Sequence, residues 1–389
     1  MDIAFIDWTG DPARPGASGL SDLTWAMARR LAQGGDNVHV FGPYTESFES
    51  GDVVVHRFPL PWLAYRNIVG HMRLVQRAIS QLRQVGRWDI IHAPEYLTTA
   101  FAATVFPGTP VILTVPGNIY ERVNNVNHFD PITTQVYKVA ARVSARRCAA
   151  IIATSQEQAY WWSYSGALPN HITTIPLGVD TSQFRPARIS TDTEQNIRHR
   201  LLFVGRLQGE NGASIALKAF ATIRAAIPTA TLRIVGNGPD RPELMRLGSR
   251  LGLAQAVQWD DHVRFEELPR VYQSADIFLF PRLSRVTPRV LFEAMASGLP
   301  IVTSAIGGLS DFVVNGQTGM LADPHDPESF AQQAIGLLRD PQRAKMIGAR
   351  ACDIARQQFD WEVVVRRIRS EVYMPLCQTS SIIQSTELL

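Results

Sequence analysis

Cysteine is scarce in this 389-residue chain: Cys148, Cys352 and Cys377 lie far apart, with neither a paired framework nor metal-ligand spacing. That excludes a disulfide-stapled scaffold and a thiolate metal centre, and it fits reduced structural thiols in a cytoplasmic protein. Net charge is also small, because 38 basic and 35 acidic residues leave only +3. Such a balance excludes bulk nucleic acid as the main partner, so any electrostatic function is local. Long apolar runs are missing too. No segment approaches the roughly 18 unbroken apolar residues that span a bilayer, so contact with a membrane is expected to be peripheral. The first residues, Met1-Asp2-Ile3-Ala4-Phe5-Ile6-Asp7, have neither the basic start nor the apolar core of an export signal and read as a buried strand. No G-x-G-x-x-G follows that strand, which speaks against a dinucleotide-dependent oxidoreductase.

What the chain has is a repeated rhythm. With 46% hydrophobic residues over 389 positions, it exceeds the roughly 250 to 300 residues at which single cores stop growing, so two domains are expected. Short apolar runs at Ile3 to Ile6, Val38 to Phe41, Val53 to Val55, Ile90 to Ile91, Val111 to Val115 and Ile151 to Ala153 alternate with helix-period segments. Leu20, Leu23, Met27 and Leu31 form one helical stripe that stops at Gly34-Gly35. The polar stretch from Arg185 to Arg200 reads as a linker, after which the rhythm restarts at Leu201 to Val204, Leu232 to Val235, Val257 to Trp259, Ile277 to Phe280 and Ile301 to Thr303. The expectation is α/β: two Rossmann-like domains with parallel sheets, at 1–185 and 186–360, and a last helix within 361–389. Two such domains facing each other leave a cleft, and ligands of open α/β sheets bind beyond the carboxyl ends of the strands.

Three segments carry chemistry. Gly205-Arg206-Leu207 ends a buried strand just before an amphipathic helix, where a glycine admits a phosphate, the helix start offers unpaired N–H groups and Arg206 offers a fork. Gly236-Asn237-Gly238-Pro239 follows the next strand at the same edge, although a sharp turn alone explains such glycines equally well. Glu293 is a lone acid in the apolar run Val290 to Met295. A buried carboxylate needs donors, and ribose hydroxyls or neighbouring protein groups would serve.

Together with Ile175-Pro176-Leu177-Gly178-Val179-Asp180, the run Glu293 to Pro300 and Gly307-Gly308-Leu309, these segments resemble the retaining family-four glycosyltransferases of GT-B fold. The resemblance spans nearly the whole chain. It implies a hexosyltransferase type of enzyme, working without a metal or other cofactor. A UDP- or GDP-linked sugar would be the donor and a carbohydrate or lipid-linked carbohydrate the acceptor, in polysaccharide or glycolipid synthesis. It implies that Arg206 and Glu293 act in catalysis, with Gly205, Asn211, Gly236, His262, Val263, Arg285, Arg289 and Val290 beside them at the donor. Gly16, Ser18 and Gly19 would approach from the N-terminal domain, where Glu95 and Asn118 belong to the acceptor side, and the tail helix would cross back onto that domain.

The sequence departs from the family in four places, one of them a glycine common near the base site that is replaced in Trp259-Asp260-Asp261-His262. Arg285 stands where the family commonly has a glutamate reaching the donor sugar, Asn211 where it has a lysine on the diphosphate, and Pro116 where it has a histidine. Arg282, Arg285 and Arg289 cluster near the expected phosphates, and one of them is expected to replace the lysine. The alternative is a homologue that has lost catalysis and serves as a nucleotide-sugar-binding partner or regulator.

On the acceptor side, no acidic residue occurs between Asp52 and Asp89, whereas Arg57, Arg66, His71, Arg73, Arg77, Arg83 and Arg87 appear there with Trp62, Tyr65 and Trp88. Such a stretch can lie on the anionic inner face of a membrane, or be a helix whose stripe of Ile68, Met72, Val75 and Ile79 packs on its own domain. His92 and Glu95, after a strand end, could assist an acceptor hydroxyl or serve as structural hydrogen-bond partners.

Overall fold

The computed structural model describes residues 1–7, 19–44, 51–58, 68–114, 131–187 and 199–378. The chain forms two compact units, Met1–Leu177 with Trp361–Leu389, and Gly178–Asp360. Most of the stretch read as a linker lies outside the described residues. Gly178 to Arg185, included in the first domain by its sequence, groups with the second unit. Phe184 is fully buried there against the rings of Phe265 and Tyr272, and the Val179 amide donates to the Phe359 carbonyl at 2.8 Å.

The first unit runs β1 (Asp2–Ile6), α1 (Gly19–Gln33), β2 (Asn37–Gly42), β3 (Val54–Arg57), α2 (Ile68–Val85), β4 (Ile90–Ala93) and α3 (Tyr96–Val105). It continues through β5 (Val111–Thr114), α4 (Pro131–Arg147), β6 (Ala150–Ala153), α5 (Gln156–Tyr164) and β7 (Ile172–Thr174). Its seven strands pair in parallel in the order β3-β2-β1-β4-β5-β6-β7. A parallel sheet is covered on both faces, which is why its strands are continuous apolar runs. Successive side chains point to opposite faces. Ala4 and Ile6 accordingly join the core with Val75, Leu82, Leu97 and Tyr137 of α2 to α4, whereas Ile3 and Phe5 are buried outside that cluster.

The second unit runs β8 (Arg200–Val204), α6 (Ala213–Ala226), β9 (Thr231–Val235), α7 (Arg241–Arg250), β10 (Val257–Asp260), α8 (Leu268–Gln273) and β11 (Ile277–Phe280). It continues through α9 (Arg289–Ala296), β12 (Ile301–Ser304), α10 (Gly307–Ser310), β13 (Met320–Ala322), α11 (Pro327–Arg339) and α12 (Pro341–Ile354). Its six strands are parallel in the order β10-β9-β8-β11-β12-β13.

The last helix, α13 (Trp361–Arg367), belongs to the first unit. Glu362 pairs with Arg30 of α1 at 2.9 Å, and Arg369 just beyond it reaches the buried Asp36 at 3.0 Å. The cysteines are free thiols, with Cys148 and Cys352 buried.

Candidate functional site

In an open parallel sheet the strand order reverses at one point, and a crevice opens there beyond the carboxyl ends. In the second unit that point lies between β8 and β11. The segments leaving these strands are Gly205-Arg206-Leu207 and Pro281 to Pro288.

The glycines around this point differ in what requires them. Gly236 has φ +143°, and a Cβ there would lie 2.0 Å from the Gly205 carbonyl oxygen. A Cβ on Gly238 would lie 2.2 Å from the Leu207 carbonyl oxygen, and one on Gly212 only 1.6 Å from that of Pro281. These three are glycine because backbone packs on backbone. The same contacts are stitched by Gly205 N donating to Val235 O at 3.0 Å, Leu207 N to Asn237 O at 2.9 Å and Gly236 N to Asp260 O at 2.8 Å. Gly205 is different: a Cβ there would meet nothing nearer than the Phe203 ring at 3.7 Å. The fold would accept a side chain at Gly205, and its absence leaves open the space beside Arg206.

Arg206 is exposed and has neither an ion-pair nor a hydrogen-bond partner for its guanidinium among the described residues. Its carbonyl accepts from the Asn211 amide at 2.7 Å. Asn211 and Arg282 are each 7% exposed, and the Arg282 guanidinium donates to the Asn211 side-chain oxygen. Leu283 N donates to Glu210 O at 2.8 Å, so the loops after β8 and β11 are held as one piece. Of the three arginines singled out by sequence, Arg282 is the one joined to Asn211. Arg289 opens α9 with its guanidinium 6.0 Å from the Phe265 ring centroid, within cation–π range. Arg285 is exposed, and its Cβ lies under Gly307, where an added Cβ would come within 2.9 Å. Val290 and Val263 are half-buried and His262 is exposed on the loop after β10.

The N-terminus of α6 completes the group. Its cap residue, Gly212, has no side chain with which to satisfy the first amides, and a helix start carries a partial positive charge.

Glu293, on α9, is 4% exposed. The Tyr272 hydroxyl of α8 donates to its carboxylate at 2.8 Å. Burial, then the adjacent Glu293 charge, push the Tyr272 phenol far above its usual pKa, so it stays protonated and donating. Nothing in the sequence marked Tyr272.

In the first unit, Gly16, Ser18 and Asn118 lie outside the described residues, and Gly19 opens α1. Glu95 proves to be the N-cap of α3, its carboxylate accepting from Leu97 N at 2.7 Å, Thr98 N at 2.8 Å and Thr98 Oγ1 at 2.9 Å. Its capping role is the structural alternative to acceptor chemistry. His92 is buried, with Nδ1 2.6 Å from the Tyr373 hydroxyl and Nε2 2.7 Å from Thr114 Oγ1. Burial lowers its pKa to about 3, so it is a neutral link within the core and out of reach of an acceptor.

Of the α2 stripe, Val75 and Ile79 are buried and Met72 is half-buried, and Trp88 is buried with its indole N–H donating to Leu82 O at 3.1 Å. Trp62, Tyr65 and Arg66 lie outside the described residues.

Two family models match. Residues 17–183 match Glycosyltransferase Family 4, and residues 198–340 match Glycosyl transferases group 1. A D-inositol 3-phosphate glycosyltransferase of Rhodococcus jostii is 27% identical, over 91% of this chain and 84% of its own length. A glycogen synthase of Mycobacterium tuberculosis is 26% identical, over 96% and 94%. Among solved structures, that of Anabaena HepE in complex with UDP and glucose superposes with a TM-score of 0.76 at 21% identity, over 96% of this chain and 99% of that one.

Proposed function

We propose that this chain, which belongs to the family-four, group 1 glycosyltransferases of GT-B fold, moves a hexosyl group from a UDP- or GDP-linked sugar to a hydroxyl acceptor with retention at the anomeric carbon. One observation carries the reading. Beside Gly205, where the fold has room for a side chain and the sequence supplies none, the exposed Arg206, the buried Arg282 and the uncapped start of α6 bring positive charge to one place. A diphosphate fits that arrangement in charge and in its need for close backbone approach. Glu293, anchored by Tyr272, would accept from ribose hydroxyls, as an acid does in nucleotide-binding α/β units.

Chemically, the bond between the anomeric carbon and the diphosphate oxygen breaks while a bond to the acceptor oxygen forms on the same face, and the acceptor proton leaves with the diphosphate. Negative charge grows on the leaving group, so fixed cations assist this step most. Arg206 and Arg282 would supply that charge without a metal ion or other cofactor. Arg282, donating to Asn211, would provide the cation that the family places at position 211 as lysine. The acceptor would be a carbohydrate, free or lipid-linked, in polysaccharide or glycolipid synthesis, and the first unit would bind it. Such work suits the cytoplasm or the inner face of the membrane.

The test is a panel of UDP- and GDP-sugars read by thermal shift and by NMR of the released sugar, with Arg206→Ala alongside. A specific donor is expected to raise the melting temperature and to be consumed with retained configuration, both effects being weaker in the variant. Stabilisation without turnover would identify a nucleotide-sugar-binding homogue of no activity. No response to any nucleotide sugar would overturn both readings.

A further inference from the structure

The face of the first unit built by α2, α3 and α4 holds an open groove of about 500 Å3. Met72 of α2, Leu97 and Phe101 of α3, and Val136, Val139 and Val143 of α4 form most of its wall. The Tyr137 hydroxyl and His71 Nδ1, 2.7 Å apart, tie α4 to α2, so the groove exists before anything enters it. Large apolar side chains on these helices face solvent: Val139 is 48% exposed, Val69 56% and Ile132 71%. Exposed apolar surface gathered around a groove marks a site of interaction.

Charge says what kind of partner. α2, α3 and α4 contain no Asp or Glu, although the whole chain is nearly balanced. Arg73, Arg77 and Arg83 on α2 and Arg142, Arg146 and Arg147 on α4 are exposed. Arg142 and Arg146 sit one helical turn beyond Val139 and Val143 on α4. Arg147 also donates to Thr104 Oγ1 of α3 at 3.2 Å.

We propose that this face docks on an anionic phospholipid bilayer, an acyl chain entering the α2–α3–α4 groove while the arginines meet the lipid phosphates. Apolar insertion beneath a cationic surface is the arrangement by which helices lie at a membrane interface. The lipid-facing surface is therefore not the buried part of the α2 stripe, Val75 and Ile79, but the groove beside it, where Met72 joins the wall and α4 contributes most. This inference deepens the expectation of peripheral membrane contact and does not rest on sugar transfer.

The experiment is co-sedimentation of the full chain with phosphatidylglycerol-containing and pure phosphatidylcholine vesicles, comparing Val139→Asp and the double variant Arg142→Glu/Arg146→Glu with the parent. Both variants alter exposed residues, and unchanged melting temperatures establish that they fold. The parent is expected to bind anionic vesicles at least about tenfold better than neutral ones. The arginine variant is expected to lose that preference, and Val139→Asp to bind the anionic vesicles several-fold more weakly. Equal binding to both vesicles, or none, overturns the proposal. Binding lost in the arginine variant but untouched in Val139→Asp overturns the groove as the seat of an acyl chain. Vesicle-independent capture of an acidic protein at this face overturns it as well.

Discussion

The phenol of Tyr272 donates to the carboxylate of Glu293 at 2.8 Å, and both groups are buried. The bond couples a residue that the family motif marks to one that it does not, and separates two roles that a single substitution at Glu293 would confuse.

Tyr272→Phe removes one donor from a buried carboxylate while leaving the packing of its ring against Phe184 and Phe278 intact. A loss of about 1–3 kcal/mol of stability is expected, with donor affinity falling less than in Glu293→Gln. Glu293→Gln keeps an acceptor for Tyr272 but removes the charge, and is expected to weaken nucleotide-sugar binding about tenfold or more. Isothermal titration beside denaturant melts reads both. Equal donor affinity in the parent and Glu293→Gln would remove Glu293 from the donor site.

Gly205 and Gly236 make a matched pair. Gly236→Ala drives a Cβ to 2.0 Å from a carbonyl oxygen at φ +143°, and should cost more than about 3 kcal/mol or prevent folding. Gly205→Ala has 3.7 Å of clearance and should change stability by less than about 1 kcal/mol. Its effect should appear instead as a loss of nucleoside-diphosphate affinity. A Gly205→Ala protein that melts and binds like the parent would mean that no ligand approaches this strand end.

Much of this was legible in sequence, and what was not has physical causes. Continuous apolar runs gave the inner strands away, because a parallel sheet is buried on both faces. The edge strands β7 and β13 escaped because they are three residues long, and Ile172-Thr173-Thr174 is only half-buried. Glu293 stood out as one acid in an apolar helix. Tyr272 did not, since a six-residue helix gives no period to read. Asn211 and Arg282 are 71 residues apart, and His92 and Tyr373 are 281 apart. The pairing of β8 with β11 brings the first pair together, and the packing of the C-terminal helical segment on the first unit brings the second. The glycines were visible as turns, yet which of them packing requires and which it merely tolerates depends on carbonyl positions that no spacing encodes.

Arg282 and Asn211 suggest an exchange of cation between two loops. Arg282→Gln should lower donor affinity about tenfold or more by removing a charge-assisted contact. Asn211→Lys alone should destabilise the protein, since it sets an ammonium beside a buried guanidinium. In the double variant the lysine replaces the missing charge, so affinity should recover and the two effects be strongly non-additive. Affinities and melting temperatures of the four proteins close the cycle. Additive losses would show that Arg282 serves only to join the loops.

His92 makes the first unit sensitive to acid. It is fully buried, and its pKa falls from 6.5 to about 3 on folding, so the unfolded chain takes up a proton that the folded chain refuses. The stability contributed by the neutral ring is complete above pH 6.5 and declines as pH drops towards 3, with a slope of about 1.4 kcal/mol per pH unit in between. At pH 5 the loss attributable to His92 should be about 2 kcal/mol. His39 and His56 are also held below their ordinary pKa by burial and act in the same direction, so the comparison must be between proteins that share them. His92→Gln can keep hydrogen bonds to Tyr373 and Thr114 but does not titrate. Its denaturant midpoint should lie below that of the parent at pH 7.5 and converge with it as pH falls to 5. A gap between the two that stays constant over that range would mean that the imidazole takes up its proton as readily in the folded protein as in the unfolded chain, and with it that His92 is not the sealed, neutral link between β4 and the C-terminal helix.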